Sequence, residues 1–134
     1  MTDKQLTHEI IGAAIAAHKA LGPSLLEAVY EECLCYELTA RSITFKRQQP
    51  IPVVYKGTKL DCGYRADIVV SGRIIVEIKA ITSIAPVHDA VMLTFLRHSG
   101  CKIGLLINFY CPALKDGVKR YVWKYVPEIT EKES

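Results

Sequence analysis

"YRADIVVSGRIIVEIKA", residues 64–80, is the stretch on which the reading of the chain turns. Two runs rich in Ile and Val flank Ser71-Gly72-Arg73, the pattern of two β-strands joined by a tight turn. Three charges, Asp67, Glu77 and Lys79, stand inside runs that otherwise ask to be buried. Side chains two apart in a strand share a face, so Glu77 and Lys79 point one way while Val76 and Ile78 point the other. The turn decides where Asp67 goes. If Val70 pairs with Ile74 across a three-residue loop, Asp67 lies opposite Glu77 and on its face. A two-residue loop pairs Asp67 with Val76 and turns it away, unless a bulge restores the register. In the first register two carboxylates are cross-strand neighbours, about 4.5–5.5 Å apart at Cβ, which is unfavourable without a positive partner. Lys79 supplies part of that charge, and Mg²⁺ or Mn²⁺ on hard oxygen ligands would supply more. The plain alternative is a solvated strand face carrying a Lys–Glu pair.

Working outward, "ITFKRQQPIPVVYKG" reads as a strand broken or held at an edge by Pro50 and Pro52, with Lys56-Gly57 as a turn. "TKLDCGYRADIVV" reads as one strand and "RIIVEIK" as the next, so three strands in succession predict an antiparallel meander. Before them, Leu6, Ile10, Ala13, Ala14, Ala17 and Leu21 recur with a period near 3.6, and Thr2 with Gln5 fits a capping box. Gly22-Pro23 ends that helix. A second is expected from there to about Arg41, with Pro23 in its first turn and Leu26, Val29, Tyr30 and Cys33 as its buried stripe. Pro86 opens a third, with Val87, Ala90, Val91, Thr94 and Phe95 facing inward and Gly100 as its stop. "KIGLLINF" has the continuous apolar character of a strand buried on both faces, and "VKRYVWKYV" alternates and can close the sheet. The order α, α, β, β, β, α, β, β predicts an α/β sandwich around a mixed sheet.

The chain has 134 residues, 50% hydrophobic and 23% charged, the profile of one globular domain over 1–127, with "EITEKES" at 128–134 as a frayed tail. No uncharged apolar run approaches the ~18 residues of a membrane span, and "MTDKQLTHE" lacks the layout of a signal peptide. These features point to the cytoplasm. Five irregularly spaced cysteines make a poor disulfide framework, and Cys33 and Cys35, two apart in a helix, read as reduced core thiols. A net charge of +3 permits a nucleic-acid partner without announcing one.

Asp67, then nine residues, then Glu77-Ile78-Lys79, with a helical Glu27 upstream, resembles the PD-(D/E)XK nuclease superfamily, Ala66 standing where its name puts proline. From about Ile10 to Val122 the resemblance sharpens. "LGPSLLEAVYEECLCYEL", "VVYKGTKLDCGYRADIVV", "IIVEIKAI", "PVHDA" and "GLLINF", in this order, are similar to the GxxExxY family of small prokaryotic proteins assigned to that superfamily. The resemblance implies a restriction-endonuclease-like fold, a mixed sheet with a three-stranded antiparallel meander flanked by helices. It also implies Mg²⁺- or Mn²⁺-dependent cleavage of nucleic acid, DNA ahead of RNA. Asp67 and Glu77 would hold the metal with the backbone carbonyl of Ile78. Lys79 would position or activate the attacking water, and Glu27 would support a metal-bound water. His88, Arg65 and Tyr30 are candidate substrate contacts. The chain departs from the family at Ser24, where glycine is usual, and at Val91 and Phe95, where related sequences carry Gln and Tyr.

His88 reads equally well as a cap or surface residue. His8 and His18 lack ligand spacing, and His98 is expected at the surface. Glu31, Glu32 and Glu37 are expected on the solvated side of the second helix. Arg65, Lys46, Arg47, Lys56 and Lys59 offer a basic rim, or only solubility. Tyr121, Trp123 and Tyr125 share a strand face suited to core or to a dimer contact, which leaves a homodimer open. The leading expectation is a metal-dependent nuclease. The alternative is a module of the same fold that binds nucleic acid or protein without cutting.

Overall fold

The computed structural model describes residues 1–23 and 26–124. Helix α1 spans Asp3–Leu21, and its first turn is closed by the Thr2–Gln5 capping box. Thr2 Oγ1 accepts the Gln5 N–H at 3.1 Å, and Gln5 Oε1 accepts the Thr2 N–H at 2.8 Å. Its stripe of Leu6, Ile10, Ala13, Ala14 and Ala17 is buried as the spacing predicts.

Helix α2, Glu27–Ala40, begins later than expected, with Leu26 as its N-cap and Pro23 outside it. Its inner face also differs. Tyr30, Leu34, Cys35 and Leu38 are buried, whereas Leu26 is 76% exposed and Val29 is at the surface. The run "EAVYEECLCYEL" carries apolar residues around much of the helix, so packing against α1 and the sheet chose the phase.

The strands are β1 (Phe45–Pro50), β2 (Val53–Tyr55), β3 (Thr58–Leu60), β4 (Arg65–Val70), β5 (Ile74–Lys79), β6 (Ile103–Asn108) and β7 (Val118–Val122), with helix α3 (Pro86–Ser99) between β5 and β6. Five of them form one mixed sheet in the order β1-β4-β5-β6-β7. β1, β4 and β5 are the antiparallel meander, β6 joins β5 in parallel through α3, and β7 returns antiparallel. "TKLDCGYRADIVV" is not one strand. The chain turns at Gly63 (φ 83°), whose N–H is taken by Asp61 Oδ1 at 3.0 Å. The part before this turn pairs with β2 across Lys56-Gly57 as a separate two-stranded hairpin. β7 stops at Val122, and Tyr125 lies outside the described residues, as does the tail 128–134.

Helices α1 and α2 cover one face of the sheet over Ile68, Val70, Ile74, Val76, Ile78, Ile103, Leu105 and Ile107. Helix α3 covers the other over Ala66, Val69, Ile75, Leu106 and Tyr121. β6 is therefore buried along its whole length, in keeping with its unbroken apolar run. Close approach of α3 depends on Gly104, where a Cβ would come within 2.4 Å of Met92 Sδ.

Candidate active site

Val70 pairs with Ile74 across Ser71-Gly72-Arg73, so the three-residue loop is the one formed. Paired residues run from there to Ile68↔Val76, and the next step of the register sets Asp67 against Glu77. At that step the two strands exchange side chains for ladder bonds. The Asp67 N–H donates to Glu77 Oε2 at 2.6 Å, and the Ile78 N–H donates to Asp67 Oδ2 at 2.8 Å. Each carboxylate thus spends one oxygen on the opposite backbone, which holds the pair in place without using up its charge. The strand alternation also slips here, because Ala66 and Val69, three residues apart, both enter the core under α3.

Glu77 is 7% exposed, and its carboxyl is pushed up to about 8 from an ordinary 4.5, by burial first and then by the charge of Asp67. Burial is also the main cause that raises Asp67. Lys79, half-buried at the end of β5, opposes both shifts. Two desolvated carboxylates under-compensated by one ammonium fit a hard divalent cation that takes one or two protein carboxylates and keeps part of its water. Among the described residues no group of three or more His, Cys, Asp and Glu side chains forms a fuller metal cage.

The backbone beyond Lys79 is held from two sides. Glu27, exposed in the first turn of α2, accepts the Ala80 N–H on Oε2 at 3.1 Å. Asn108, 6% exposed at the end of β6, accepts the Ile81 N–H at 3.1 Å and donates to the Ile81 carbonyl at 2.9 Å. The Phe109 N–H donates to the Lys79 carbonyl at 2.8 Å. Asn108 was not singled out in the sequence. It carries no spacing signal, because the loop it clamps comes from another strand.

Glu31 corrects the sequence reading. Expected on the solvated side of the helix, it is 8% exposed and receives Arg47 Nε at 3.0 Å, Arg47 Nη2 at 2.7 Å and Gln48 Nε2 at 2.9 Å. Its charge acts on both Asp67 and Glu77. A signal was available, since Glu31 follows Glu27 by four residues and so shares its helical face. Arg47, expected on a basic rim, is instead tied to Glu31 and to Glu32, the latter at 2.8 Å.

Tyr30 is fully buried, with its ring stacked on Phe109 at 4.3 Å and its hydroxyl on the Gly22 carbonyl. That leaves it no surface to offer a substrate. His88 Nδ1 accepts the Ala85 N–H at 2.9 Å and caps α3. Arg65 is exposed at the start of β4. Val91 and Phe95 belong to the core under α3, Phe95 meeting Tyr64 edge-on at 5.6 Å. His98 accepts the Val54 N–H at 3.0 Å and so pins the β2–β3 hairpin to α3. All five cysteines are free thiols, with Cys35 buried and Cys33 partly so.

A carboxylate pair on adjacent strands, followed by lysine, at one end of a mixed sheet between helices defines a class of nuclease-like α/β proteins. The family model for the PD-(D/E)XK nuclease superfamily matches residues 4–121, and the chain belongs to that superfamily. No curated protein and no solved structure matches the chain. Among the described residues no helix is long and apolar enough to cross a membrane.

Proposed function

We propose that this protein is a metal-dependent nuclease of the GxxExxY type that hydrolyses phosphodiester bonds, in DNA ahead of RNA. The observation that carries the reading is the Asp67–Glu77 pair, cross-bonded to the opposite backbones and desolvated, with Lys79 two residues beyond Glu77. Asp67, Glu77 and the carbonyl of Ile78 would hold Mg²⁺ or Mn²⁺, which supplies Lewis acidity at the phosphate and makes water easier to deprotonate. The Asp67 and Ile78 N–H groups keep the two carboxylates aimed before substrate arrives. The Lys79 ammonium holds the attacking water and stabilises negative charge that grows on the phosphate oxygens in the transition state. Glu27 and Asn108 fix the backbone on which Lys79 is mounted.

The second reading is a binding module of the same fold. It is favoured by Val91 and Phe95, which leave apolar side chains where related sequences carry Gln and Tyr. Cleavage of single- and double-stranded DNA and RNA with Mg²⁺ or Mn²⁺, by wild type and Glu77→Ala, separates the two. Metal-dependent cutting lost in Glu77→Ala supports the nuclease; no cutting of any form with either metal leaves the binder.

A further inference from the structure

Gln48 has no part in the chemistry above, yet it occupies the position on β1 across from Asp67. Arg47↔Ile68 and Gln49↔Ala66 pair on either side of it, and Gln48 itself drops out of the ladder. Its φ is 48°, in the left-handed region that a glutamine inside a strand seldom enters. The consequence is visible in its neighbours. Strand alternation should send Arg47 and Gln48 to opposite faces, but both reach Glu31, Arg47 on Oε2 and Gln48 on Oε1. From across the ladder the Gln48 side chain also favours the charged form of the Asp67 carboxyl. A carboxamide nitrogen carries two hydrogens and can serve two carboxylates at once, while Arg47 neutralises the one behind it.

We propose that Gln48 is a positioning residue for Asp67: anchored by Glu31 on α2, its amide sets the direction in which the Asp67 carboxylate is presented to a divalent cation. The proposal rests on reading Asp67 as a metal-holding carboxylate. It also assigns the left-handed residue a task, since the turn at Gln48 is what brings its amide to the carboxylates.

The test uses Gln48→Gly, which suits the backbone conformation and removes the whole side chain, and Gln48→Glu, which keeps the length, removes the donors and adds a carboxylate. Amide hydrogen exchange of the metal-free protein is read at Ile78, whose N–H rests on Asp67, and at Ala80, whose N–H rests on Glu27. In both variants Ile78 should exchange about tenfold faster with Ala80 unchanged, and Mn²⁺ affinity should fall by about tenfold, the usual effect of losing a group that orients a ligand. If Gln48→Gly fails to fold, Gln48→Glu alone must show the same pattern. Unchanged exchange at Ile78 overturns the proposal whatever the metal result. Faster exchange at Ile78 in a protein whose wild type takes up no Mn²⁺ upholds the grip of Gln48 on Asp67 and removes only the metal reading.

Discussion

Replacing Glu77 by Gln should make the metal-free protein more stable, and increasingly so as pH rises. The folded-state carboxyl titrates near 8, the unfolded one at its ordinary 4.5. Below 4.5 both states hold the proton and the two proteins should be alike. Between the two values the unfolded chain releases its proton while the folded one keeps it, so the favourable contribution present at low pH is lost as pH climbs to about 8. The full difference corresponds to roughly 4–5 kcal/mol as an upper bound, and sharing of charge with Asp67 and relaxation of the site should leave about 1–3 kcal/mol. Glutamine cannot ionise, and its carbonyl can still accept the Asp67 N–H. Urea unfolding of both proteins with chelator, at pH 5 and pH 8.5, measures the gap, and other titrating groups cancel in the comparison. Saturating Mg²⁺ should narrow the gap at pH 8.5, because binding stabilises only the protein that has the site. Equal gaps at the two pH values, or a less stable Glu77→Gln at pH 8.5, would refute the claim that the buried pair lacks sufficient positive charge.

Lys79→Ala should abolish cleavage with affinity for uncut DNA changed by no more than about twofold, since its ammonium acts mainly in the transition state. A nuclease reading does not survive a variant that cuts normally; a merely weakened affinity, with a salt slope flatter by about one counterion, belongs to the binder. Mn²⁺ should titrate weakly into the wild type without nucleic acid and give no heat with Asp67→Asn. Equal binding by the variant would place the metal elsewhere. Gly104→Ala should cost about 1–3 kcal/mol in urea unfolding, because its Cβ would overlap Met92 Sδ, and an unchanged midpoint would mean that Met92 gives way freely.

That β6 pairs with β5 in parallel came only from the structure, but the meander and the whole-length burial of β6 could be read from one dimension, because strand alternation, turn residues and a continuous apolar run are local signals. So could the pairing of Val70 with Ile74 as one of two registers, though the choice between them lay in the turn. The break at Gly63 escaped because the residues on both sides of it have β-forming character, and only pairing with β2 on one side and β1 on the other divides them. The phase of α2 escaped for a similar reason, since apolar residues lie around much of its circumference and α1 selected which were covered. Tyr30 is buried as its stripe predicted, which removes it as a substrate contact, while Glu31, expected in solvent, went beneath Arg47 and Gln48. Composition and periodicity determined the layers and set Asp67, Glu77 and Lys79 within two neighbouring strands. Which carboxylates became desolvated neighbours was decided in three dimensions, because burial, and with it the strength of every charge interaction, depends on what other elements pack above a residue rather than on its neighbours in the chain.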